Sequence, residues 1–183
     1  MVLSMTNPDD VDLVRRSLAG DREAFGALID RYERLVFNLA YRLTGNREEA
    51  EDVAQNVFLK AYEKLQSYDF RFKFFSWLYR ITHNEAVNAL QRGKRMQGLD
   101  EEMEADGSPF PDGSLDALLQ EGLMELQEGH RTLIVLKHVQ GLSYDEIAGI
   151  LQIPEKKVKS RLFTARELLR EILTKKGVTP DDY

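Results

Sequence analysis

Six basic side chains, Lys156, Lys157, Lys159, Arg161, Arg166 and Arg170, share one stretch with the apolar set Val158, Leu162, Ala165 and Leu169. At helical spacing one set can pack while the other meets a polyanion. The residues just before supply a partner helix. Ser143 with Glu146 three places on forms a capping box, and Ile147, Ile150 and Leu151 give that short helix one buried face. Pro154 suits only the first turn of a helix, so it marks where the basic helix begins. Two helices joined by so tight a turn, the second one basic, form the unit that places a helix in the major groove of DNA.

A second constellation is aromatic. Phe70, Phe72, Phe74, Phe75, Trp77 and Tyr79 fall within ten residues, interleaved with Arg71, Lys73 and Arg80. Bases pulled out of a duplex are held by stacking on rings and by basic side chains along the phosphate path. Trp77, Leu78 and Ile81, at helical spacing, are expected in the core. Phe72 and Phe74 fall in a loop, where a mostly buried ring is not expected. A third group, Glu48, Glu49, Glu51 and Asp52 followed by Gln55 and Asn56, makes an acidic face that suits a basic partner. Catalytic chemistry is not indicated. There is no cysteine, and His83, His130 and His138 are too scattered for a metal site. Neither an enzyme nor a cofactor is expected.

The elements that must position these groups read almost entirely as helix. Asp9 and Asp10 precede a short helix ending near Gly20. Asp21 caps a longer one that stops at Gly45, and Asn46 starts a third through Leu65. A fourth runs from about Phe75 to Gln91. Glycine, proline and acids then break the pattern until Ser114, where helical periodicity resumes. The expected fold is all-α: two small helical domains, residues 1–94 and 115–183, joined by a flexible acidic linker over 95–114. Net charge is −6, but its distribution matters more than its sum. From Arg71 to Arg95 six Lys/Arg face one Glu, and from Glu155 to Lys176 eight face three acids. Between them, Asp100 to Asp116 holds seven acids and neither Lys nor Arg. No apolar run approaches a transmembrane helix and no secretory leader is evident, so a cytoplasmic protein is expected.

Three segments in register resemble a known family. Glu48-Glu49-Ala50-Glu51-Asp52-Val53-Ala54-Gln55-Asn56-Val57-Phe58 is similar to the polymerase-binding helix of bacterial sigma factors. Phe75-Ser76-Trp77-Leu78-Tyr79-Arg80-Ile81-Thr82-His83-Asn84 resembles their −10 promoter-reading helix. Gly141-Leu142-Ser143-Tyr144-Asp145-Glu146-Ile147-Ala148 with Val158-Lys159-Ser160-Arg161-Leu162 resembles their −35-reading helix-turn-helix. Regions 2 and 4 without the intervening region 3 mark the extracytoplasmic-function (ECF) subgroup of the sigma-70 family.

The resemblance implies roles. Asp52, Gln55 and Phe58, with Glu51, would meet core RNA polymerase. Asn84 would contact an extruded −10 base, with Asn88, Arg80, Phe72 and Lys73 along the strand. Lys159, Ser160 and Phe163 would read the −35 element and Arg161 and Arg166 hold its phosphates, with Lys157 also in contact with −35 DNA. Promoter DNA, duplex at −35 and single-stranded at −10, is the implied nucleic-acid partner. An anti-sigma factor is the implied inhibitor and, where membrane-bound, would hold the chain at the inner membrane. The chain departs from the family at Thr164, where a basic residue is common, and at Gln127, where proline is common. Glu155-Lys156-Lys157 also replaces a small, glycine-containing turn. A stand-alone helix-turn-helix regulator binding operator DNA is the alternative, and it leaves the acidic helix at Glu48 to Phe58 unexplained.

Overall fold

The computed structural model describes residues 8–97, 110 and 113–178. Most of the acidic 95–114 segment, expected to be a flexible linker, lies outside the described residues. Eight α-helices are present among those described, and no strand: α1 (Pro8–Leu18), α2 (Arg22–Thr44), α3 (Arg47–Lys64), α4 (Phe74–Gln97), α5 (Leu115–Glu125), α6 (Glu128–Ile134), α7 (Tyr144–Leu151) and α8 (Glu155–Lys175). A 3₁₀ turn follows α3, and a five-residue π-helical stretch, Val135–Val139, extends α6.

Local signals set most boundaries. The Asp21 carboxylate accepts the Ala24 N–H at the start of α2, and Gly45 ends the helix with φ at 75°. Asn46 caps α3 through the Glu49 N–H, and Ser114 caps α5 through the Ala117 N–H. Each cap satisfies a backbone donor that the first helical turn leaves unpaired. The helix α4 runs six residues beyond its expected end and passes through Gly93. A mid-helix glycine costs only about 1 kcal/mol. Here α4 lies against α3, close enough that a Cβ at Gly93 would be 3.5 Å from Glu49 Oε1.

The helices α1 to α4 pack around Val36, Leu39, Val53, Val57, Phe74 and Leu78, all at most 2% exposed. On α3 the buried residues are small (Ala50, Val53, Val57 and Ala61), which lets its neighbours approach closely. The second group, α5 to α8, buries Leu123, Leu133, Leu136, Ile147, Val158 and Leu162.

The two groups are docked on one another. Arg131 of α6, 7% exposed, donates to the carbonyls of Leu123 (2.9 Å), Met124 (3.1 Å) and Leu126 (3.1 Å), and across the boundary to Leu43 of α2. These carbonyls sit at or just beyond helix C-termini, where acceptors lack intrahelical partners and a cation is favoured. Beside it, Arg42 pairs with Asp116 at 2.8 Å and lies 4.4 Å over the Phe110 ring. Gly45 sits so near α5 that a Cβ would fall 2.5 Å from Met124 Sδ. Arg131→Met is expected to leave these buried acceptors unpaired and destabilise the protein by about 3 kcal/mol, read from the urea unfolding midpoint.

Candidate nucleic-acid and polymerase interfaces

On α8, Val158, Leu162, Ala165 and Leu169 face the core. Lys156, Lys157, Lys159, Ser160, Arg161, Phe163, Thr164 and Arg166 are all exposed. Phe163 is 65% exposed, unusual for so large a ring, and available to an apolar contact such as a thymine methyl. The preceding helix is held as its sequence suggests. Ser143 Oγ accepts from the Glu146 N–H, and Glu146 Oε2 accepts from the Ser143 N–H at 2.9 Å. The turn between the two helices is made at Gln152, whose φ of 54° is left-handed, and the Ile153 N–H then bonds the Ala148 carbonyl at 3.2 Å. The family's small, glycine-containing turn corresponds to Glu155-Lys156-Lys157; here the turn lies before Pro154, where the sequence puts the start of the basic helix. Those three residues open α8 instead, because Pro154 has already set its first turn. At the other departure, Gln127 starts α6 with φ at −56°, a value that proline also holds.

The aromatic-basic segment divides between core and surface. Phe72 is 61% exposed, but Phe74 is 2% exposed, contrary to expectation. Phe74 is the first residue of α4 rather than a loop residue. Its ring meets Tyr32, Tyr68 and Trp77, each with centroids at 5.6 Å. Leu78 is fully buried, and Trp77 and Ile81 are half-buried against the core, as expected. Asn84 and Asn88 are exposed on α4, and Arg80 is half-buried. The neighbouring His83 donates from Nδ1 to Asn84 Oδ1 at 3.3 Å when that nitrogen carries the proton. Burial holds its imidazole below the ordinary value, outweighing Asn84 and Glu128, which favour the proton.

Lys73 and Arg80 line a cleft of about 650 Å³ whose opposite wall is α7, through Asp145, Glu146, Gly149 and Ile150. Lys73 Nζ is 2.7 Å from Glu146 Oε1. Tyr79, whose phenol burial pushes up to about 12, donates to Gln140 Oε1 at 2.8 Å. The segment expected to meet −10 DNA is thus latched to the helix-turn-helix.

On α3, Glu51, Asp52 and Gln55 are exposed, with Glu51 paired to Arg47 at 3.0 Å, while Phe58 is half-buried against the core. The same face continues into Leu59, 64% exposed, and Tyr62, 50% exposed with its ring 5.0 Å from Phe25. Neither Leu59 nor Tyr62 is among the residues expected from the sequence to meet the polymerase. The spacing 52, 55, 59, 62 was the available signal, since residues three and four apart share a helix face.

The arrangement defines a class: a two-domain, all-helical protein with a helix-turn-helix, an aromatic-basic segment and a separate acidic-to-apolar face. Comparison with known proteins agrees. Residues 28–96 match the family model of sigma-70 region 2, and residues 116–169 match that of sigma-70 region 4. The chain is 36% identical over 177 residues to the ECF RNA polymerase sigma factor SigW of Bacillus subtilis, covering 87% of this chain and 94% of the relative. It is 34% identical over 187 residues to the RNA polymerase sigma-H factor of Pseudomonas aeruginosa, covering 92% and 96%. Among solved structures, CnrH in complex with the cytosolic domain of CnrY superposes with a TM-score of 0.72 at 26% identity, covering 91% of this chain and 97% of that one. The sigma factor RpoE in complex with the anti-sigma factor NepR, from Bartonella quintana, gives 0.72 at 28% identity, covering 82% and 96%. The chain belongs to the sigma-70 family of RNA polymerase sigma factors, in its ECF subgroup.

Two measurements probe this geometry. Gln152→Gly is expected to relieve a left-handed side-chain clash and raise stability by about 1 kcal/mol, seen as a higher urea midpoint. Partial burial disfavours the Glu146 charge, yet hydrogen bonds from Lys73 and Ser143 outweigh it and hold the carboxyl below its ordinary value of 4.5. The latch is therefore fully present above that value and is lost as pH falls through the lowered one. Energy transfer between probes on α4 and α7 is expected to be higher in the wild type than in Glu146→Gln at neutral pH. That difference should vanish in acid, below the ordinary glutamate range.

Proposed function

We propose that this ECF sigma factor works through three surfaces that the fold keeps apart. The α3 face of Asp52, Gln55, Phe58 and Glu51 docks on core RNA polymerase. Asn84, Asn88, Arg80, Phe72 and Lys73 capture unstacked −10 bases and their phosphates. On α8, Ser160, Phe163 and Lys159 meet the −35 major groove, with Lys157, Arg161 and Arg166 on its phosphates. Phosphate contacts supply affinity and base-edge contacts supply choice. In this reading region 2 spans residues 1–94, the acidic linker 95–114 and region 4 residues 115–183. The chain serves the polymerase's chemistry without catalysis of its own.

The observation that carries this reading is the coexistence of the exposed α3 face with two separate DNA-facing surfaces. A stand-alone operator-binding regulator needs only the helix-turn-helix. Promoter engagement also requires the two helical groups to separate. The −10 and −35 elements lie about 25 base pairs apart, roughly 85 Å at 3.4 Å per pair. Lys73 and Glu146, by contrast, are in direct contact. The docked arrangement is therefore a stored form, and an anti-sigma factor that binds it would keep the chain off DNA. RpoE and CnrH, which share this fold, were both solved in complex with a partner. Among the described residues no helix is long and apolar enough to cross a membrane. We assign the chain to the cytoplasm, where its polymerase resides, and a membrane-bound anti-sigma factor would hold it at the inner membrane.

Co-elution with bacterial core RNA polymerase tests the α3 assignment. Wild type is expected to co-elute, and Asp52→Arg with Gln55→Ala to lose at least about tenfold in affinity, on the order of 1.4 kcal/mol. Absence of co-elution by the folded wild type would leave the stand-alone regulator as the better account.

A further inference from the structure

Exposure alone does not say which basic residues of α8 face the groove, because the helix turns 100° per residue. A residue one place from a core position lies about 100° from it, on a flank, and one two places away lies about 200° round, on the far side. Lys157 and Lys159 flank Val158, Arg161 adjoins Leu162, Arg166 adjoins Ala165 and Arg170 adjoins Leu169, and all four of those reference residues are buried. These five cations therefore lie along the sides of the helix. Ser160 is two places from both Val158 and Leu162, so it points directly away from the core. Lys156 is the one cation from Lys156 to Arg170 that adjoins no core residue and lies two places from one; Ser160 follows it on the far face at i+4, and Phe163, one place from Leu162 but two from Ala165, at i+7.

The local contacts separate Lys156 from Lys159 in a second way. Lys159 Nζ lies 2.6 Å from Glu155 Oε1 and 5.3 Å over the Tyr144 ring, which also meets Lys137 Nζ at 4.7 Å. Its charge is thus drawn back toward the first helix of the motif. Lys156 makes no ion pair among the described residues and is exposed. It is also the second residue of α8, and the N-terminal residues of a recognition helix are those that reach base edges.

We infer that Lys156 is a base-reading residue of this chain, donating to the O6 and N7 acceptors of a guanine in the −35 major groove, while Lys159 is held to the side as a phosphate contact. The inference rests on the reading of α8 as the −35 helix. It revises that reading at Lys159 and adds a residue where the family usually has a small turn. Lysine suits the role because its three N–H donors match the paired acceptors that only guanine presents there.

The test is selection from duplexes with a randomised −35 element, using polymerase holoenzyme assembled with each variant and sequencing the bound pool. Lys156→Ala is expected to reduce a guanine preference at one position about tenfold while leaving the other positions unchanged, and Lys156→Arg to retain it. Lys159→Ala is expected to weaken binding across all sequences alike and to lower the salt dependence by about one phosphate contact. Uniform weakening by Lys156→Ala with an unchanged base profile, or loss of a single base preference in Lys159→Ala, would overturn the assignment. Wild-type holoenzyme that selects no −35 sequence would instead sink the α8 reading itself, and the inference with it. Both lysines are exposed, and unchanged thermal midpoints establish that the variants remain folded.

Discussion

A buried guanidinium anchors the junction between the two halves of this protein. Arg131 carries its charge into a site where, among the described residues, no carboxylate forms an ion pair with it. Instead it is surrounded by carbonyl oxygens from α5, its C-terminal loop and the end of α2. Burial lowers its pKa, and Glu128 acts in the opposite direction. The arrangement is tolerable because helix C-termini present unpaired acceptors and a partial negative charge, so cation and carbonyls meet each other's needs. Removing either side leaves a buried polar group without a partner. Neither helical group can satisfy all of these atoms by itself, since the Leu43 carbonyl belongs to one and the guanidinium to the other.

The remaining contacts between the groups follow from that junction. With α5 and α6 seated on the end of α2, Met124 fills the space that a side chain at position 45 would take. Arg42 then lies within reach of Asp116, Gln120 and Phe110. On the far side α7 comes down onto α4, and Lys73 finds Glu146. Unlike Arg131, that pair is partly exposed to solvent, so salt and competing phosphates can weaken it. The docked form therefore combines a dry anchor with a wet latch, and the latch involves a residue of the aromatic-basic segment. The exposed faces of α3 and α8 point elsewhere and remain accessible while the latch is shut.

Much of this was legible in the residue order. The caps at Asp21, Asn46, Ser114 and Ser143, the stop at Gly45 and the buried stripe of α8 all appear where their spacing put them. The acidic face of α3 and the basic face of α8 were likewise readable, because a helical period assigns neighbours without reference to the rest of the chain. The misreadings share a cause. Phe74 looked like a loop residue but starts a helix whose first ring fits between Tyr32, Tyr68 and Trp77. Tyr62 falls on the apolar period of α3, yet the small residues of α3 let the neighbouring helices close over Ala61 and leave the ring half outside. Gln152 carries no signal for a left-handed turn, since glycine or asparagine is the usual sign.

The amino-acid sequence by itself determined the helices, their caps and the polarity of their faces, and through three motifs in register it determined the family. Those features depend on residues within one or two turns of each other. Only the tertiary structure decided that the two helical groups dock, that Lys73 is latched to Glu146, and which basic side chains of α8 lie on its far face with their charge unpaired. Such contacts join residues as far apart as Leu43 and Arg131, 88 positions along the chain. Nothing in local spacing records which distant carbonyl will complete a buried cation; only the packing of whole helices brings the two together.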